Sequence, residues 1–175
     1  RRGQGIDEAQ IEQMRQLAAG GGGNAAPAER PDDPEVLKAL AARLARSGAV
    51  LALGEVVKGS GGALDLNAAQ VLLAMAETAE CRGAIVQQGG FRALLALVGA
   101  ATSAETAEVA AWALAKVGIS INPALYPRRI KSAGPEAMVK PLLGLVAEAT
   151  NELKVFEACM ALCNLATDPA LQDRI

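Results

Sequence analysis

The chain has 175 residues, a formal net charge of −2, and is 51% hydrophobic but only 2% aromatic. The near-neutral balance excludes an overall basic field of the kind that attracts nucleic acid. The absence of histidine removes the commonest general base, a favoured metal ligand and every Ser–His or Cys–His nucleophile pair.

From the N-terminus, Ile6 to Ala19 reads as a short helix, with Ile6, Gln10, Met14 and Leu17 on one side. Gly20 to Pro34, "GGGGNAAPAERPDDP", is glycine- and proline-rich and charged, the composition of a flexible loop. It lacks the Gly-Lys-Ser/Thr ending and the preceding strand of a phosphate-binding loop, as does "KGSGG" at Lys58 to Gly62. Helices with short breaks follow. Asp33 to Ser47 is the first, with Asp32 or Asp33 able to cap it. Gly48 ends it, and Ala49 to Lys58 and Leu66 to Ala79 come next. Glu80 to Gln88 stops at Gly89-Gly90, a helix terminator, and Phe91 to Gly99 follows. Ser103 to Val117 contains the single tryptophan, with Ser103 as N-cap and Glu105 in the first turn. Asn122 to Ile130 holds two prolines and reads as a broken turn. Pro135 to Glu148 is helical, with Pro141 expected to kink it or mark its real start. Asn151 to Ala166 and Asp168 to Ile175 close the series, and no segment reads as a strand.

No stretch reaches the roughly 18 apolar residues of a membrane span, and no signal peptide is visible. Cys81, Cys159 and Cys163 have neither metal-site spacing nor a disulfide framework. Cys159 and Cys163, four apart on one helix face, are expected to be small core residues in a reducing compartment. The carboxylates spread along polar helix faces, where solvation explains them. No catalytic residue, metal ligand or cofactor is assigned.

The helices repeat. "QVLLAMA" (Gln70 to Ala76), "WALAKVG" (Trp112 to Gly118) and "MALCNLA" (Met160 to Ala166) align, so that Met75, Val117 and Leu165 recur at steps of 42 and 48 residues. "FRALLALV" and "MVKPLLGLV" repeat as leucine-rich middle helices. A short helix, a glycine break, a middle helix and a longer third helix, at a period of about 40–47 residues, describe an armadillo-type unit. One such unit cannot bury its apolar faces alone, so neighbours stack. The expected fold is all-α, an armadillo-repeat right-handed superhelical solenoid. Residues 1–19 would end a preceding repeat, 20–34 form the loop, and 35–175 hold about three repeats with the last truncated. The start at Arg1 and the stop at Ile175 suggest a piece of a longer protein.

With the repeats placed, "LARSGAVLALGEVVK", "AIVQQGGFRALLAL", "ALAKVGISINP", "VKPLLGLV" and "FEACMALCNLAT" occur in an order that resembles the UCS family of myosin chaperones. "GISINP" followed by Tyr126-Pro127 and "KPLL" carries most of the resemblance. "RRIKSAG", Arg128 to Gly134, departs from the family, whose connection there is shorter and has a glycine after the proline. The resemblance implies a cytoplasmic, non-enzymatic chaperone segment that binds the myosin motor domain. It implies co-chaperone action with Hsp90, through a tetratricopeptide domain absent from this chain. Neither nucleic acid nor membrane is expected as a partner. A generic armadillo adaptor for another extended peptide or protein is the alternative.

In armadillo arrays the third helices line a groove. Glu105, Glu108, Trp112 and Lys116 recur at three- and four-residue steps and share one face, whereas Ala110, Leu114 and Val117 suit the core. A Trp-x-x-x-Asn pair at these places flanks and bonds an extended ligand in peptide-binding armadillo proteins. Here the matching pairs are Gln70/Ala74, Trp112/Lys116 and Met160/Asn164, an incomplete ladder that argues against nuclear-signal cargo. The candidate groove residues are therefore Gln70, Glu105, Glu108, Trp112, Lys116, Met160 and Asn164. Trp112 could face the groove or fill a gap between repeats, and Asn164 could bond a neighbouring backbone instead of a ligand. Arg128, Arg129 and Lys131 read as a solvated loop.

Overall fold

The computed structural model describes residues 33–60, 62–123, 126 and 135–169. The chain divides into two compact units, Arg1–Val36 and Leu37–Ile175. The expected N-terminal helix, all but the end of the loop up to Pro34, and Arg128, Arg129 and Lys131 lie outside the described residues.

Among the described residues every regular element is an α-helix. In chain order they are α1 (Pro34–Arg46), α2 (Ala49–Gly59), α3 (Asp65–Glu77), α4 (Ala79–Gln87), α5 (Gly90–Ala100), α6 (Ala104–Ser120), α7 (Pro135–Glu148) and α8 (Glu152–Leu165). Two turns repeat. Gly48 (φ 79°) and Gly89 (φ 84°), 41 residues apart, join α1 to α2 and α4 to α5 in the left-handed region that disfavours side chains. Both are first-to-second helix connections, so the local chemistry recurs with the repeat.

The caps follow the sequence. Ser103 Oγ accepts from the Thr106 backbone N–H at 3.1 Å and starts α6. Asn151 Oδ1 accepts from the Leu153 N–H at 2.9 Å and the Lys154 N–H at 3.4 Å and starts α8. Each satisfies donors that a helix leaves unpaired at its first turn. Thr78, extended at ψ 110°, separates α3 from α4, one residue before the expected break. The helix does not begin at Pro141. α7 runs through it from Pro135.

The longest helix, α6, packs against α3, α4, α5, α7 and α8. The three repeat anchors Met75, Val117 and Leu165 are 1%, 0% and 1% exposed. Around them lie Leu72, Ile85, Leu94, Leu97, Leu114, Leu142 and Leu162. Small residues set the spacing: a Cβ built on Gly118 of α6 would stand 3.0 Å from the Ala161 Cβ of α8. The expectation for Cys159 and Cys163 is corrected, since both are exposed and only Cys81 is buried. They share a face of α8, as their spacing requires, but it is the face turned away from α6. Burial pushes the Cys81 thiol above its ordinary value.

Tyr126 packs its ring on Phe91 with centroids 5.0 Å apart. Its hydroxyl is buried and meets no hydrogen-bond partner among the described residues, and burial pushes its pKa up to about 12. The fold favours the neutral phenol, so the native state holds this proton more tightly than the unfolded chain does. The associated stability is complete below the unfolded value of about 10 and is lost as pH rises from about 10 towards 12. Tyr126 is the single tyrosine, so its titration is read without overlap. Tyrosinate absorbance is expected to rise near pH 12 in the native chain and near pH ~10 in urea. A native midpoint close to the urea value would contradict this packing.

Candidate protein-binding face

The steps of 42 and 48 residues make α3, α6 and α8 equivalent third helices. They place Gln70, Trp112 and Met160 at one position, and Ala74, Lys116 and Asn164 one turn further on. α6 lies between the other two and packs on both. Gln70, Glu105, Glu108 and Met160 are exposed, Trp112 and Asn164 are half-buried, and Lys116 is buried, 3% exposed. Ala110, Leu114 and Val117 point into the core, as their spacing predicts.

Trp112 sits in a network that crosses between helices. Glu157 of α8 accepts from the Trp112 indole N–H at 2.5 Å through Oε2, and from Lys116 Nζ at 2.9 Å through Oε1. Lys116 Nζ also meets Glu77 Oε2 of α3 at 3.1 Å. Lys116 Nζ and Lys154 Nζ each lie over the Trp112 ring, 4.8 Å from its centroid. Lys154 in turn donates to Glu108 Oε1 at 2.6 Å. A buried ammonium needs such partners, because losing water without them costs several kcal/mol. The indole adds attraction from its π face, about 0.5–2 kcal/mol per cation depending on exposure.

Asn164 does a different job. Its amide donates to the Gly118 carbonyl at 2.6 Å and to the Ile121 carbonyl at 3.0 Å. Carbonyls at a helix C-terminus lack intrahelical partners, so this side chain closes the end of α6 and fastens α8 to it. Both amide hydrogens are engaged inside the protein. The Trp112 indole hydrogen is engaged too. The donors that a Trp/Asn ladder would offer an extended ligand are therefore already bonded within the stack.

Beside this face, small side chains of α5, α6 and α7 leave a cleft of about 570 Å³, with Leu95, Val98, Ala107, Glu108, Lys140 and Gly144 in its walls. Among the described residues no group of three His, Cys, Asp or Glu could hold a metal ion.

Residues 78–116, which hold α4, α5 and most of α6, match the family model "Armadillo/beta-catenin-like repeat". "Protein unc-45 homolog B" of Homo sapiens is 32% identical over 147 residues, which cover 80% of this chain and 15% of that protein. Its Danio rerio counterpart is 33% identical over the same length. The solved structure "UNC-45 from Drosophila melanogaster" superposes with a TM-score of 0.70 at 30% identity, covering 88% of this chain and 19% of the other. The chain belongs to the UCS family, in its armadillo-repeat region.

This UCS chain spans about 15% of the length of the curated relatives it matches. Of its network, Glu77, Lys154 and Glu157 escaped sequence reasoning, which compared charges within α6 alone. Laying α8 beneath α6 at the 48-residue step would have found two of them. At that step Glu157 takes the place of the half-buried Val109, and Lys154 that of the buried Thr106, so both fall on the packed edge of their helix.

A Glu157→Gln change keeps the shape but leaves Lys116 with only the half-exposed Glu77. A loss of about 2–3 kcal/mol is expected in denaturant unfolding. Glu108→Gln, at an exposed ion pair, is expected to cost less than about 1 kcal/mol and to lose that effect in salt. Equal costs for the two variants would contradict the burial assigned to this network.

Proposed function

We propose that this chain is the protein-binding part of a chaperone that holds the myosin motor domain and helps it fold, in concert with Hsp90. The observation that carries the reading is the similarity to UNC-45 proteins over 80% of the chain, joined to a shared fold. Hsp90 would be engaged through a region outside this chain, and the cytoplasm is the compartment where a myosin motor would be met.

The geometry supports binding without covalent chemistry. With no histidine in the chain, no Ser–His or Cys–His pair exists to activate a nucleophile. The face of α3, α6 and α8 is held rigid by its internal bonds, and a preorganised surface loses less freedom on binding. The engaged Trp112 and Asn164 donors weigh against an adaptor that reads a peptide backbone. They favour a partner gripped through side-chain surfaces. No helix among the described residues is long and apolar enough to cross a membrane.

The test is retention of the protein on an immobilised myosin motor domain, together with light scattering of the motor during heating. Retention and slower aggregation are expected. Neither retention nor protection would remove the reading.

A further inference from the structure

The 48-residue step relates α5 to α7 as well as α6 to α8. It therefore shows which residues a further repeat, stacked on α7 and α8, would cover, because α7 and α8 already cover their counterparts. On α7 the exposed large apolar residues among those described are Leu143 and Val146. Their counterparts Leu95 and Val98 pack against the core and line the cleft beside α7. On α8, Cys159 and Cys163 are exposed, and their counterparts Ala111 and Ala115 are 5% and 0% exposed. These four positions are stacking positions.

Leu153, Phe156 and Met160 do not fit that pattern. They are 52%, 61% and 43% exposed, and their spacing of three and then four residues makes one stripe along α8. Their counterparts on α6 are Glu105, Glu108 and Trp112. With α8 in place, Glu105 and Glu108 stay exposed and Trp112 stays half-buried. A further repeat would thus leave the stripe open, on the third-helix face. Stacking explains Leu143, Val146 and the two cysteines, and it does not explain three large apolar side chains at positions that α6 fills with two carboxylates and an indole. An apolar patch of this kind at an open position marks a contact surface.

On the three third helices the exposed charged residues are all carboxylates. Glu77, Glu105, Glu108 and Glu152 are exposed, whereas the lysines of this face are withdrawn. The side chains of Lys116 and Lys154 are 4% and 18% exposed, and both are tied to carboxylates. A partner that complements the face is apolar in the middle and basic at its edges. We propose that Leu153, Phe156 and Met160 of α8 dock an apolar segment of a partner polypeptide flanked by basic residues. This rests on the protein-binding reading above and names the chemistry of what that face takes.

The probes are two fluorescein-labelled peptides with the same leucine–phenylalanine core, one flanked by lysines and the other by glutamates, titrated against the protein by anisotropy. The lysine-flanked peptide is expected to bind about tenfold or more tighter than the other. A combined Phe156→Ser and Met160→Ser variant is expected to lose about tenfold or more of that affinity, with its thermal midpoint held because both side chains face solvent. Leu143→Ser, at a stacking position, is expected to bind as the parent does. Unchanged binding by the double variant, or equal binding of the two peptides, would overturn the proposal. So would a dimer in sedimentation that the double variant dissociates, since a second copy would then occupy the stripe. If the double variant still holds the myosin motor as well as the parent does, the stripe falls and the chaperone reading stands. If the parent fails to hold the motor but binds the lysine-flanked peptide through the stripe, the reverse holds.

Discussion

Lys116 places an ammonium group inside a stack built almost wholly of aliphatic side chains. It lies in the middle of α6 with 3% of its surface exposed, and a charge so placed must be met by acceptors or the fold fails there. The acceptors come from both sides, Glu77 from α3 and Glu157 from α8. One side chain thus ties three successive third helices. Glu157 also takes the Trp112 indole hydrogen, so the single tryptophan is fixed by the carboxylate that answers the buried charge. The position of each repeat relative to the next depends on this charge being met.

Small residues make that arrangement reachable. A Cβ added to Gly118 of α6 would press on the Ala161 Cβ of α8 at 3.0 Å, closer than ordinary contact, and Ala110, Ala113, Ala158 and Ala161 are fully buried. Close helices bring carboxylates within reach of an ammonium that longer side chains would hold apart. Asn164 works at the same contact, bonding the last carbonyls of α6. The result is a third-helix face whose Trp112, Lys116, Lys154 and Asn164 donors are engaged within the stack and whose exposed charged residues are carboxylates.

The period, the helices and the Ser103 cap were legible in the sequence. Gly48 and Gly89 marked turns because a left-handed backbone needs glycine, and Ser103 marked a helix start because its side chain bonds a first-turn amide, whereas Asn151 read as the first helical residue and is the cap before it. The face of Trp112 was legible too, since three- and four-residue steps fix it. The partners across the interface were not. Helical periodicity says which residues of one helix share a side, but not which side chain of the next helix meets them. Lys116 therefore resembled an exposed lysine on a charged face until Glu157 was placed opposite. Cys159 and Cys163 misled for a related reason. Small size suggests burial, but burial needs a neighbour, and the described residues put none on that side of α8.

These interactions give the proposed function its physical basis: a stack held from within by a bonded charge network presents an open third-helix face. The most direct measurement is a double-mutant cycle between Lys116→Met and Glu157→Gln, read by denaturant unfolding. Removing both charges together is expected to cost less than the two single losses combined, with a coupling of about 1–3 kcal/mol. Additive losses would show that the Lys116–Glu157 pair does not hold the third helices together.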